Sequence, residues 1–170
     1  SPRGQGFLAD VAAEWEAGTE PLARAGARVS VLRIGMVLGA GGGALPKMLT
    51  PFRLGLGGRL GSGRQWTSWI ALDDLCAAIA FLLHDERARG VFVGAAPNPV
   101  TNREFTRELG GALARPTLLP APAFALRLAL GEMASALLLS SQRARPRRLL
   151  DLGFRFVHAE LRSALAAALR

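Results

Sequence analysis

The chain has 170 residues, half of them hydrophobic, and its 21 basic against 13 acidic side chains give a net charge of +8. That apolar content supports one folded unit burying roughly 70% of its unfolded surface, and it excludes a disordered polybasic tail, which lacks the apolar residues to offset ordering entropy. A single cysteine, Cys76, excludes an internal disulfide framework and a cysteine-based zinc site, two histidines leave little for a metal cluster, and tyrosine is absent.

The periodicity of Phe7, Leu8, Val11, Trp15 and Leu22, with acids between them, predicts a helix over 7–25 closed by Gly26. Val29-Ser30-Val31-Leu32-Arg33-Ile34 is rich in β-branched residues and predicts a strand. A glycine-rich run over 35–43 follows, which either lets backbone approach a ligand or simply turns. It is neither a dinucleotide fingerprint nor a P-loop, since it lacks G-x-G-x-x-G and no Gly-Lys-Ser/Thr follows.

A short helix is expected over 45–56, with Pro46 in its first turn, then a glycine-rich loop over 55–63 and an extended segment over 65–70. Asp73 or Asp74 is expected to cap a helix reaching Leu83, with Leu75, Ala78, Ile79 and Leu82 on one face. A strand follows over 90–94. Thr101-Asn102-Arg103-Glu104 reads as a capping box opening a helix that turns Phe105, Leu109 and Leu113 inward. Beyond the turn at Pro120 and Pro122 come a hydrophobic helix, a helix over 143–150, a turn with a short strand over 153–156, and an amphipathic helix over 160–169.

Of the 21 cations only Lys47 is lysine, and the arginines are scattered except for Arg143, Arg145, Arg147 and Arg148. That group reads as a phosphate contact or a solvated helix face. Without aromatics interleaved among clustered cations, nucleic acid is not an expected partner. The apolar stretch 117–139 is interrupted by Pro120, Pro122, Arg127, Gly131 and Glu132, so no membrane role is expected and a buried or partner-facing helix is. Ser1-Pro2-Arg3-Gly4 does not read as a secretory leader, and a cytoplasmic location is expected.

The order Val31-Leu32-Arg33-Ile34-Gly35-Met36-Val37-Leu38-Gly39, then Trp69-Ile70-Ala71-Leu72-Asp73-Asp74-Leu75, then Gly90-Val91-Phe92-Val93-Gly94, resembles the C-terminal half of extended short-chain dehydrogenases/reductases. The run from Gly41 through Pro51-Phe52-Arg53-Leu54-Gly55 to Gly61-Ser62-Gly63-Arg64-Gln65, and the tail after Pro97, are similar to the NAD-dependent epimerase/dehydratase-like branch with a small C-terminal domain of unknown function. The resemblance implies an α/β fold: the C-terminal part of a Rossmann-type, doubly wound parallel sheet over 1–96, and a small, mainly helical substrate lobe over 97–170.

It further implies an NAD or NADP cofactor in the parent protein, whose phosphate loop belongs to an N-terminal Rossmann half that this chain lacks. That half is the expected partner, together with a small polar, nucleotide-sugar-like substrate; a second copy of the chain is a further candidate. Independent binding of the dinucleotide is not expected. Arg33, Gly35, Met36, Val37 and Gly39 are implied to lie near the nicotinamide, although Arg33 reads equally as the partner of an acid.

Relatives place a Tyr-x-x-x-Lys pair on one helix face, where the ammonium helps the phenol act as base. Alignment on Ala13-Glu14-Trp15-Glu16-Ala17 puts Phe7 and Val11 at those positions, so no catalytic residue is assigned and the chain alone is expected to be inactive. Ala71 stands where many relatives carry His. Arg53 and Arg64 flank the glycine-rich loop and are candidates to clamp a substrate phosphate. Trp66 and Trp69 are candidates to stack on a ring, or are packing residues. Asn98 and Asn102 open the small lobe, Asn102 being read as part of the helix cap. The alternative is a non-enzymatic interaction module docking through 117–139.

Overall fold

A computed structural model describes residues 6–131 and 138–170. Its elements run α1 (Phe7–Ala17), α2 (Glu20–Arg24), β1 (Ser30–Ile34), β2 (Met36–Leu38), α3 (Ala44–Arg53), β3 (Trp66–Thr67), β4 (Trp69–Ala71) and α4 (Leu72–His84). They continue as β5 (Gly90–Gly94), β6 (Val100–Thr101), α5 (Asn102–Ala112), α6 (Ala123–Leu130), α7 (Arg147–Asp151) and α8 (Leu161–Ala168). The architecture is α/β with parallel pairing, as expected. β1 lies parallel to β5, from Ser30 opposite Gly90 to Ile34 opposite Gly94, and β2 lies parallel to β4. β3 and β6 form a short antiparallel pair. Among the described residues β1 has a strand neighbour on one side only.

Two clusters of buried apolar side chains hold these pieces. One gathers Leu38, Leu45, Trp69, Phe105, Leu109 and Leu165, so β2, β4, α3, α5 and α8 share one interior. The other gathers Ala78, Leu82, Phe92, Leu149 and Phe154 between α4, β5 and α7. The first cluster draws on residues before and after residue 96. Arg28 secures the far end of α4: its guanidinium donates to the carbonyls of Leu82 and Leu83 at 2.7 Å each and of Ala88 at 3.2 Å. These are carbonyls at and just beyond a helix end, which lack intrahelical donors.

Several sequence expectations need correction. The single helix over 7–25 is two helices, because Pro21 carries no N–H to continue the ladder; the break is closed by Thr19 Oγ1 donating to the Glu16 carbonyl at 2.7 Å. Within the expected glycine turn, Met36–Leu38 is a strand in register with Trp69–Ala71. Neither Asp73 nor Asp74 caps α4, whose N-cap is Ala71 and makes no side-chain cap bond. Ile79 is 42% exposed and does not join the buried face of α4. The expected helix over 143–150 begins only at Arg147, since Pro146 disfavours helical geometry in the residue before it. Gly153 makes the expected turn at φ +96°, but no strand follows over 154–156. The proposed docking stretch 117–139 includes 132–137, which lie outside the described residues.

Candidate functional site

β1 and β5 end side by side at Ile34 and Gly94, and the N–H of Gly35 donates to the Gly94 carbonyl at 2.9 Å. In parallel sheets, ligands bind beyond the carboxyl ends of the strands, which makes this edge the candidate site. The chain crosses it tightly. A Cβ on Gly35 would lie 2.8 Å from the Ser68 carbonyl oxygen, so glycine is required for β1 to turn into β2 against that backbone. The N–H of Met36 donates to the Ser68 carbonyl at 2.8 Å and is therefore occupied. Alternate residues of a strand turn their N–H and C=O to opposite sides, which sets those of Val37 on the edge of β2 facing away from β4. Gly39 is buried against Leu72.

Arg33 does not reach over this edge as a free cation. Its Nε and Nη2 donate to the two carboxylate oxygens of Glu16 at 2.6 and 2.7 Å, a bidentate pair that ties α1 to β1. The bond holds the Glu16 carboxyl below its usual range, chiefly through hydrogen bonding. Of the two readings of Arg33, pairing with an acid is the one the geometry displays.

The glycine-rich loop is tied down along 58–61. Residues 59–61 run beside 119–121: Ala121 N–H donates to the Arg59 carbonyl at 2.9 Å, and Gly61 N–H to the Ala121 carbonyl at 2.8 Å. Gly58 sits so close to the Leu119 carbonyl that no side chain fits there. Asn102 Oδ1 accepts from the Leu60 N–H at 2.8 Å, and Gln65 Nε2 donates to the Leu60 carbonyl at 3.0 Å. Asn102 therefore fixes this loop rather than capping α5. Thr101 caps α5, accepting from the Glu104 N–H at 3.3 Å while Glu104 accepts from the Thr101 N–H at 2.7 Å.

Trp69 is fully enclosed, and its Nε1–H donates to the Asn98 carbonyl at 3.2 Å. Its ring has no open face, so the stacking role is replaced by the packing one. Trp66 is half-buried, with the Arg143 guanidinium 4.3 Å from its ring centroid. Arg64 is exposed. Arg53, the last residue of α3, is also exposed and makes no side-chain hydrogen bond or ion pair among the described residues. The arginine run of 143–148 is dispersed: Arg148 stacks on Phe92 and donates to the carbonyls of Arg89 and Val91, while Arg143 turns to Trp66.

Sequence reasoning missed Asp74 as a structural anchor. It is 1% exposed, and its two carboxylate oxygens accept from the N–H groups of Val157 and His158 at 2.8 Å each. The one available signal was the second carboxylate at the start of an apolar helix, which local rules assign to capping. Among the described residues no three His, Cys, Asp or Glu side chains converge on a metal position, and no helix is long and apolar enough to cross a membrane.

A family model described as a domain of unknown function (DUF1731) matches residues 121–168. The whole chain is 45% identical over 170 residues to a chloroplastic SDR39U1 homologue of Arabidopsis thaliana, covering 48% of that protein. It is 44% identical over 160 residues to the mouse epimerase family protein SDR39U1, of which it covers 54%. The solved human SDR39U1 with NADPH superposes at a TM-score of 0.91 with 38% identity, spanning 99% of this chain and 57% of that one. A Corynebacterium glutamicum structure described as a nucleoside-diphosphate sugar epimerase gives 0.79 with 34% identity, spanning 99% and 32%.

Fold and sequence together define the C-terminal portion of an extended short-chain dehydrogenase/reductase with Rossmann-type architecture. Within that class the chain is similar to the epimerase family proteins named SDR39U1, and it spans about half the length of the curated relatives it matches.

Proposed function

We propose that this chain supplies the substrate side of an NAD(P)-dependent epimerase/dehydratase-like oxidoreductase acting on a small polar, nucleotide-sugar-like molecule. The observation that carries the reading is the edge where β1 and β5 end together and Gly35 turns the chain into β2, in a fold whose human relative was solved with NADPH. The donor set fits only one end of such a cofactor. The outward N–H and C=O of Val37, together with Gly35 and Gly39, would face the nicotinamide side. No residue run in the chain forms the glycine cradle that the pyrophosphate needs. When bound, the nicotinamide would supply hydride transfer. The residues of this chain orient: β2 fixes the outward N–H and C=O of Val37. With no tyrosine in the chain, the acid/base pair usual in the class is not built from these residues.

The remaining half of the parent Rossmann domain is the proposed partner. The open side of β1 is suited to receive another parallel strand, and Trp15 (78% exposed) and Phe7 (79%) on α1 await cover. Fusing the chain to the N-terminal portion of the Arabidopsis relative and titrating NADPH by fluorescence tests this. Saturable binding that the chain alone lacks supports it; no binding by a folded fusion overturns it.

A second reading, docking through the 117–139 stretch without catalysis, is favoured by Leu118 (84% exposed), Phe124 (73%) and Leu128 (88%), whose exposure leaves an apolar face open. Light scattering of Phe124→Asp and Leu128→Asp variants separates the two: an assembly lost in both supports docking.

A further inference from the structure

We propose that the outer edge of β5 is a strand-pairing surface for a second copy of this chain, and that Arg148 keeps it closed. This edge lies away from the free side of β1, where the missing half is placed, so it does not depend on the proposed function. Toward β1, the Gly90 N–H donates to the Val29 carbonyl at 2.8 Å and the Gly94 carbonyl accepts from Gly35 at 2.9 Å. Alternate residues turn to opposite sides, so the N–H and C=O of Arg89, Val91 and Val93 face outward. Among the described residues no strand pairs with them, and Arg89, Gly90 and Val91 are exposed. Such a row of unpaired groups is a template for another strand.

Arg148 lies across it. From α7 its Nη1 donates to the Val91 carbonyl at 2.6 Å and its Nη2 to the Arg89 carbonyl at 2.7 Å. These carbonyls are two residues apart on one edge, the spacing at which a neighbouring strand would place its donors. The guanidinium also sits 4.3 Å from the Phe92 ring centroid, and the next residue, Leu149, is wholly buried in the cluster that holds Phe92. The planar fork is thus held in place while it takes both acceptors.

The sequence of β5 names the occupant. Gly90-Val91-Phe92-Val93-Gly94 reads the same in both directions and carries no charge. A second copy turned about a two-fold axis at Phe92 presents an identical antiparallel strand. Val91 would then exchange N–H and C=O with Val93 of the second copy, and Val93 with its Val91. The Val91 carbonyl cannot serve Arg148 and that strand together, so the two exclude one another.

Sedimentation velocity of the full chain over a concentration series tests this. Arg148→Met keeps a long side chain over Phe92 and removes the fork; its association constant for a discrete dimer should rise about tenfold over the parent's. Amide hydrogen exchange at Val91 and Val93 should slow as that dimer fills. Arg147→Met removes the same charge from the neighbouring exposed residue and should associate as the parent does. Val93→Pro, added to Arg148→Met, deletes an outward N–H that β1 does not use and should restore the parent's behaviour. Circular dichroism checks that each variant folds, and Arg148→Lys, which keeps the charge and loses the fork, carries the same expectation if the methionine variant does not. A folded fork-less variant that associates no more than the parent overturns the proposal. So does an equal rise in Arg147→Met, or a dimer that survives Val93→Pro or leaves the Val91 and Val93 amides exchanging as before.

Discussion

Helices α1 and α8 are both alanine-rich and both carry apolar side chains at helical spacing, yet they end in opposite surroundings. On α8, Leu161 is 4% and Leu165 0% exposed, packed with α5, β2 and β4. On α1 no residue is buried, and Phe7 and Trp15 stand 79% and 78% exposed. Sequence periodicity reports that a helix has a face to bury, not whether its partner lies in the same polypeptide. The side of the molecule around α1 and β1 is an unfinished surface; the side around Trp69 and α8 is a finished core.

Substitutions should split along that line. Trp69→Ala is expected to cost about 3–5 kcal/mol in urea unfolding, because a wholly enclosed indole is removed. Trp15→Ala should cost under about 0.5 kcal/mol, as an exposed ring loses little. Were the two costs equal, or α1 the more sensitive, the comparison would be broken. Asp74→Ala comes next. It strands the N–H groups of Val157 and His158, at about 1–3 kcal/mol, and limited proteolysis should then cut within 157–170 earlier than in the parent.

Thr101→Ala should cost about 1 kcal/mol through loss of the α5 cap. The bond from the Thr101 N–H holds the Glu104 carboxyl below its ordinary range. Its contribution is therefore complete above the unfolded-state pKa of about 4.3 and disappears as the pH falls through the lower folded-state value. A pH series of unfolding midpoints should show this contribution in the parent and in Thr101→Ala, which keeps the N–H, and its loss in Glu104→Gln. Glu16→Gln is the smallest effect, under about 1 kcal/mol for a surface pair, with the same sign of pH dependence and further weakening in high salt. If added salt leaves that difference untouched, the tie between α1 and β1 is not electrostatic.

What could be read in advance was local. The β-branched run of β1, the capping box and the terminal amphipathic helix each depend on neighbours a few residues away, and each is found where the pattern puts it. What escaped depends on distant partners. Met36–Leu38 becomes a strand only because β4 supplies the ladder, and Asn102 leaves the cap because Leu60 offers its N–H. The candidate site was legible as a place, since a strand running into glycines marks the edge. Its side chains were less so: Trp69 turned inward and Arg33 was claimed by Glu16.

The bonds of Asp74 also set an order of events during synthesis. Its acceptors wait for donors 83 and 84 residues further along the chain. At about 5–20 residues per second, the ribosome needs between about 4 and 17 s to deliver them. Throughout that interval the first turn of α4 must keep a hydrated carboxylate facing water, and the helix seats only when the far end of the polypeptide arrives to replace that water.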